Sequence, residues 1–177
     1  MKDRLSRWGI GPEIAVAALT YALVAGVATS RWPGFCRIRL VPFVVPAVIA
    51  ALLLMAGVPM LVVAARSVMK AYNRDQLVTS GVSALVRHPI YSAWIVFILP
   101  GLALLSRSWP MLLTPLVAYA VFKLRIHRED EYLVQRFGGA YLDYRARVNE
   151  LIPIPRFLRL IRKPVNASRA APSSTKP

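Results

Sequence analysis

Residues 40–65, "LVPFVVPAVIAALLLMAGVPMLVVAA", contain no charged side chain. No other feature of the chain restricts its fold as much. Wound as a helix, the run reaches about 39 Å at 1.5 Å per residue, more than the roughly 30 Å of hydrocarbon in a bilayer. It is too long for a strand and has no polar face to turn toward water. Its three prolines, Pro42, Pro46 and Pro59, are tolerated in membrane helices when neighbouring groups satisfy the freed carbonyls. The sequence therefore predicts a membrane-spanning helix here.

Three further segments repeat the signal. Residues 10–30 are apolar except for Glu13 near the start, and residues 90–106 and 109–123 form two shorter apolar stretches joined by "SRSWP", a tight turn. The whole chain of 177 residues is 56% hydrophobic yet carries a net charge of +15, and its mean hydropathy is +0.50. Apolar spans with basic loops reconcile these values, whereas a soluble domain rarely combines them. A basic chain can bind nucleic acid through its phosphates. Here the cations flank apolar runs instead of forming one patch, so no nucleic-acid partner is expected. One cysteine, Cys36, excludes an internal disulfide, and two distant histidines make a zinc or iron site improbable, so no metal is expected. No small-residue cleavage site follows a short apolar stretch near the start, so no removable signal peptide is read.

Four spans put both ends of the chain on the same side as residues 66–88. Those three regions carry three, twelve and four Lys or Arg, against three and one in the loops on the other side. The positive-inside rule then places both termini in the cytosol, in a multi-pass protein whose first partner is the bilayer itself. After residue 124 the pattern turns charged and amphipathic. Leu133, Phe137, Tyr141, Tyr144 and Val148 recur every three or four residues, interrupted at "FGG". "RFLRLIRK", residues 156–163, reads as a basic amphipathic segment on anionic lipid. The expected fold is thus all-α: one domain over residues 1–164, a bundle of about four transmembrane helices with a cytosolic C-terminal amphipathic helix. Residues 165–177, rich in Pro, Ser and Ala, are expected to be a disordered tail.

Two polar stretches meet the apolar spans on the cytosolic side. In "LVRHPIYSAW", residues 85–94, an arginine, a histidine and a proline stand at the mouth of the third span. In "RIHREDEYLVQRFGGAYLDYRARV", residues 125–148, three of only eight acidic residues cluster inside a basic region. Carboxylates at such a junction can bind the hydroxyls of a ribose or the positive end of a ligand. Each residue also has a structural reading. Arg87 and His88 would serve as interface anchors, Trp94 and Trp109 as an aromatic belt. Glu129, Asp130 and Glu131 would pair with Lys123, Arg125 or Arg128 at helical spacing.

"RHPIY", followed at this distance by "ED" and then by "FG", Tyr141, Tyr144, "RV" and "IPIP", resembles the isoprenylcysteine carboxyl methyltransferase and phospholipid methyltransferase superfamily. These are small integral membrane enzymes that use S-adenosylmethionine. The resemblance covers roughly residues 76–155, with the cofactor region at 76–91 and 124–155. It implies that Arg87, His88 and Tyr91 line the cofactor pocket, with Gly81 near its wall and Pro89 fixing the turn into the third span. Glu129 and Asp130 stand at the family's paired glutamates, and Tyr141 closes the pocket from the helix beyond. Arg125 matches a basic residue near the reacting group, the implied catalytic residue. Two departures are Asp130, shorter than glutamate, with Glu131 beside it, and Ser83, where the family commonly carries an aromatic residue. The implied activity is methyl transfer to a lipid-like, membrane-soluble acceptor. Sterol reductases, which use NADPH, share an "RHP" and a later acidic pair, but usually have an Asn where this chain has Ile90. A non-catalytic membrane protein of the same fold is the third reading.

Overall fold

The computed structural model describes residues 9–74 and 76–152; the basic segment 156–163 and the tail 165–177 lie outside them. Among the described residues the regular structure is helical throughout. Six helices follow one another: α1 Gly11–Arg31, the short α2 Pro33–Cys36, α3 Val44–Arg74, α4 Pro89–Leu105, α5 Thr114–Phe137 and α6 Gly139–Arg147. A 3-10 turn at Gly81–Ala84 precedes α4, and another at Met111–Leu113 leads into α5.

Two helices, α1 and α3, are long and apolar enough to cross a membrane, and α4 is a shorter apolar helix. Which side chains they bury is the inverse of a water-soluble pattern. Ala18, Ala25, Ala50 and Ala64 are buried, while Leu19, Leu23, Val27, Val48, Leu52 and Met55 are exposed. Small residues inside let backbones approach closely, and large ones outside meet a solvent as apolar as themselves. This arrangement belongs to a membrane protein. Gly57 shows the closeness: a Cβ there would stand 2.6 Å from Phe97 Cβ of α4. That stretch of α4, Ala93–Ile98, is a π-helix six residues long.

The second apolar helix starts later than its sequence suggests. Leu40 and Pro42 precede it, and Pro46 falls in its first turn, where a missing N–H costs nothing. It then continues past the apolar run to Arg74. The fourth segment differs more. After the turn at 106–110, α5 begins at Thr114 and passes through Lys123 without a break, joining apolar and charged halves in one rod. The break comes at Gly138, at φ 54°, a backbone conformation that suits glycine. This is the "FGG" interruption.

Helix α3 packs along α4, and α1 along α5. The main core lies between α1 and α5. Ile10, Ile14 and Ala18 meet Ala118, Phe122 and Ile126, with Ile95 and Leu151 closing it. The long helices α1, α3, α4 and α5 alternate in direction, so the start of α1, the start of α4 and the second half of α5 share one end of the bundle.

Candidate active site at the polar end of the bundle

The "RHP" segment is held from both sides before its side chains do anything. Buried Val86 bridges to Asn149 in parallel register. The Arg87 N–H donates to Asn149 O at 2.7 Å, and the His88 N–H to Glu150 O at 3.1 Å. His88 then stands just before Pro89 at φ −118°, ψ 69°, outside the helical conformation that a following proline disfavours. The segment after α6 therefore fixes where Arg87 and His88 sit. On α5, Glu129 and Asp130 are consecutive, so they leave the helix about 100° apart and take different partners.

Asp130 is the hub. Its Oδ2 receives the Arg87 Nη1 at 3.1 Å, and its Oδ1 lies 3.3 Å from His88 Nε2. The Tyr141 hydroxyl also donates to Oδ1, and Arg145 Nε lies 3.8 Å from Oδ2. Glu129 takes the other side of His88, with Oε1 3.7 Å from Nδ1. Its Oε2 accepts from the Tyr91 hydroxyl at 2.8 Å and faces the Ile10 N–H at 3.4 Å. The imidazole thus stands between two carboxylates. Arg87 reaches one step further, Nη2 lying 3.8 Å from Glu150 Oε1.

Electrostatics follow from this geometry. Burial opposes charge on His88, but hydrogen bonds and charge from Asp130 and Glu129 outweigh it and raise its pKa above 6.5. Burial likewise opposes charge on Asp130; His88, Tyr141 and Arg87 together hold its carboxyl well below the usual carboxylate range. The centre is thus a carboxylate clasped by the Arg87 guanidinium, the His88 imidazole and a phenol. Burial and then the Asp130 carboxylate push the Tyr141 phenol up, so it remains a donor. Tyr144, pushed up to about 12 chiefly by burial, gives its hydroxyl to Ser83 O at 2.6 Å. Ser83 is itself buried against that tyrosine.

Beneath the polar groups lies an aromatic floor. Phe122 is fully buried, its ring edge-on to His88 at 5.9 Å and 5.6 Å from Tyr91. At the start of α1, Gly9 passes over the Glu129–Tyr91 pair. Its φ is 54°, and a Cβ there would fall 2.6 Å from Glu129 Oε2, so only glycine fits. The N-terminal end of α1, with its positive dipole, faces that carboxylate.

Of the residues singled out in the sequence, Arg87, His88, Tyr91, Glu129, Asp130 and Tyr141 come together in this cluster. Gly81 does not join it; it opens the 3-10 turn at φ 63° with open space around it. Arg125 points elsewhere and pairs with Glu13 of α1, Nε to Oε2 at 2.9 Å, the two side chains 42% and 46% exposed. Sequence patterns missed Ile10, Phe122, Arg145 and Glu150, which are distant in the chain and carry no motif. Beside the cluster a cleft of about 370 Å³ opens between α5 and α6, lined by Ile126, Asp130, Glu131, Arg145 and Glu150 among others. No group of three or more His, Cys, Asp and Glu able to hold a metal occurs among the described residues.

This set of groups suits a zwitterionic, hydroxyl-bearing ligand. The Arg87 side chain is only 8% exposed, and its Nε is a buried donor without a hydrogen-bond partner among the described residues, so the guanidinium has donor capacity left over. Glu129 is 20% exposed against 6% for Asp130; it is the more accessible carboxylate, suited to a ribose diol or an ammonium group.

Comparison with known proteins agrees with this composition. The model of the isoprenylcysteine carboxyl methyltransferase family matches residues 43–135. A protein-S-isoprenylcysteine O-methyltransferase of Schizosaccharomyces pombe is 41% identical over 83 residues, covering 46% of this chain and 35% of the relative. The enzyme of the same name from Dictyostelium discoideum is 34% identical over 77 residues, covering 44% and 32%. Protein-S-isoprenylcysteine O-methyltransferase B of Arabidopsis thaliana is 33% identical over 81 residues, covering 46% and 41%. The matched stretch thus spans well under half the length of these relatives. No solved structure matches significantly. The family match covers more than half of the chain and takes in "RHP", the acidic pair and the helices that bring them together, so the chain belongs to the isoprenylcysteine carboxyl methyltransferase family.

Proposed function

We propose that the chain is a membrane methyltransferase that uses S-adenosylmethionine and acts on a lipid-tailed acceptor, an isoprenylcysteine carboxylate being the acceptor named for its relatives. The observation that carries this reading is the convergence of Arg87, His88, Tyr91, Glu129, Asp130 and Tyr141 where apolar α4 and α5 meet charged sequence. Polar cofactor and apolar acceptor can meet only at such a boundary.

When bound, the cofactor supplies an electrophilic methyl group on a sulfonium. Arg87, through its unpartnered Nε, is positioned for the methionine carboxylate. Glu129 takes the ribose hydroxyls or the ammonium, with the Tyr91 hydroxyl orienting it. Asp130 holds Arg87 and His88 in place, and Tyr141 donates to it from α6. A carboxylate acceptor is already ionised at neutral pH, so the residues around it would need to supply no general base; the cofactor would supply the electrophilic methyl and would keep the electron pair of the broken carbon–sulfur bond. The protein's contribution is alignment, worth several kcal/mol when reacting atoms are held in line. Arg125, on the Glu13 side of the rim, is the cation we assign nearest the acceptor's carboxylate.

The same reading completes the topology. Residues 1–164 form one domain of four spans, α4 and α5 supplying the shorter two, with the site and both termini in the cytosol. The test is calorimetry on the detergent-purified chain with S-adenosylmethionine, its demethylated product and NADPH, followed by transfer of labelled methyl to an N-acetyl-S-prenylcysteine. Binding of the first two and label in a base-labile ester are expected. NADPH binding alone would make the site a reductase, which the relatives' names do not favour. Folded protein that binds none would be a non-catalytic member of the family.

A further inference from the structure

The opposite end of the bundle has its own chemistry, which methyl transfer does not use. A groove of about 240 Å³ lies between the start of α3 and the end of α4, walled by Val45, Pro46, Ile49, Ala103, Leu104 and Leu112. Arg107 stands at its mouth. Its backbone is left-handed, at φ 50°, the only such non-glycine residue among those described. A residue held in a sparsely populated conformation needs the surrounding structure to hold it. Here the Ile38 N–H donates to Arg107 O at 2.7 Å and the Trp109 N–H to Cys36 O at 3.1 Å. The guanidinium donates through Nη2 to Val41 O at 3.0 Å and lies over the Phe43 ring. Its Nε and Nη1 bond to no group among the described residues and remain available at the groove's edge.

Charge sharpens the point. Arg31, Arg37, Arg39 and Arg107 all belong to this end, and Arg37 and Arg39 flank Ile38, itself in the groove wall. No Asp or Glu occurs between Glu13 and Asp75, nor between Asp75 and Glu129. These arginines therefore have no carboxylate in either of the loops that hold them, and they sit on the side that membrane proteins usually keep poor in cations. Among the described residues no carboxylate pairs with them, which leaves them open to an anionic ligand.

We propose that this groove binds one acyl chain of an anionic glycerophospholipid whose phosphate rests on Arg107, with Arg37 and Arg39 beside it. Apolar walls take the chain, and arginine donors at the mouth match the phosphate oxygens. The site is separate from the methyltransferase cluster, and its occupancy does not depend on that reading.

The test counts lipids on the full chain. Delipidated protein in maltoside detergent is titrated with phosphatidylglycerol or with phosphatidylcholine of the same acyl chains, and bound lipid is read by native mass spectrometry. One phosphatidylglycerol is expected to be retained at about fivefold or greater preference, from the attraction of each arginine for anionic lipid. Arg107→Asn keeps a residue type that tolerates the left-handed backbone and should abolish that preference. Ile49→Trp, filling the groove, should lower binding of both lipids. If Arg107→Asn fails to fold, the double variant Arg37→Gln/Arg39→Gln reports the same loss of preference. Equal retention of the two lipids by the wild type overturns the proposal. So does an unchanged preference in both arginine variants, or a doubled protein mass in place of bound lipid, which would make a second copy the occupant.

Discussion

The two ends of the bundle each place arginine against apolar helices, yet they solve the resulting problem in opposite ways. At the polar end Arg87 is buried, and Asp130, His88, Tyr141 and Glu150 surround it. At the other end, among the described residues, the Arg107 guanidinium meets a backbone carbonyl and an aromatic ring. Buried cations need a partner in the protein, whereas cations at an interface can take one from the lipid. The first arrangement makes a rigid cluster whose members depend on one another. The second leaves a guanidinium open to a ligand.

Breaking the hub is the largest test of that contrast. Asp130→Ala leaves Arg87 and His88 buried without their shared carboxylate, and is expected to cost about 3–5 kcal/mol of stability. Thermal unfolding in detergent reads it; a loss under about 1 kcal/mol would mean the cluster is looser than its distances indicate. Next comes Glu129→Gln, which keeps shape and removes charge. S-adenosylmethionine affinity should fall by about 10–100-fold, the worth of a charge-assisted hydrogen bond, with little change in melting temperature. An equal loss of stability would make Glu129 a second hub.

Acidity sharpens the comparison further, because among the described residues carboxylates stand only at one end. His88, its folded pKa raised, stabilises fully below its ordinary 6.5, and that contribution is lost as pH rises through the folded value. Asp130, its folded pKa depressed, contributes fully above its ordinary 3.8 and loses this as pH falls through the folded value. Both contribute in full between pH 3.8 and 6.5. Melting temperature should therefore be highest in that window and decline on the alkaline side, and His88→Gln should flatten the alkaline decline. A decline that survives in His88→Gln would assign it to another group.

The opposite end should respond less. Arg107→Asn removes one hydrogen bond and one ring contact, with an expected cost of about 1 kcal/mol and no change in cofactor binding. Arg125→Gln is the mildest, within about 1 kcal/mol, since its partner Glu13 is solvent-exposed. A fall in kcat for a prenylcysteine acceptor, with cofactor affinity unchanged, would support its place beside the acceptor; unchanged turnover would leave it a surface pair.

Much of this architecture was legible in the sequence because hydropathy acts locally. A charge-free run such as 40–65 has few environments open to it, and "FGG" marks where a helix must stop. Arg87, His88, Glu129 and Asp130 stood out because charge is scarce beside apolar helices. Their partners did not. Nothing in the sequence said that Asn149 and Glu150 would bridge to residues 86–88, that Gly9 would pass over Glu129, or that Phe122 would lie under His88. Nor did spacing reveal that Arg125 would turn to Glu13 rather than to its own helix. Periodicity along one chain fixes which face of a helix is apolar, but not which distant face it will meet. The sequence by itself determined that there would be apolar helices and that cations and carboxylates would gather at their ends. Only tertiary packing decided which carboxylate each cation would find, because that depends on contacts between residues tens of positions apart.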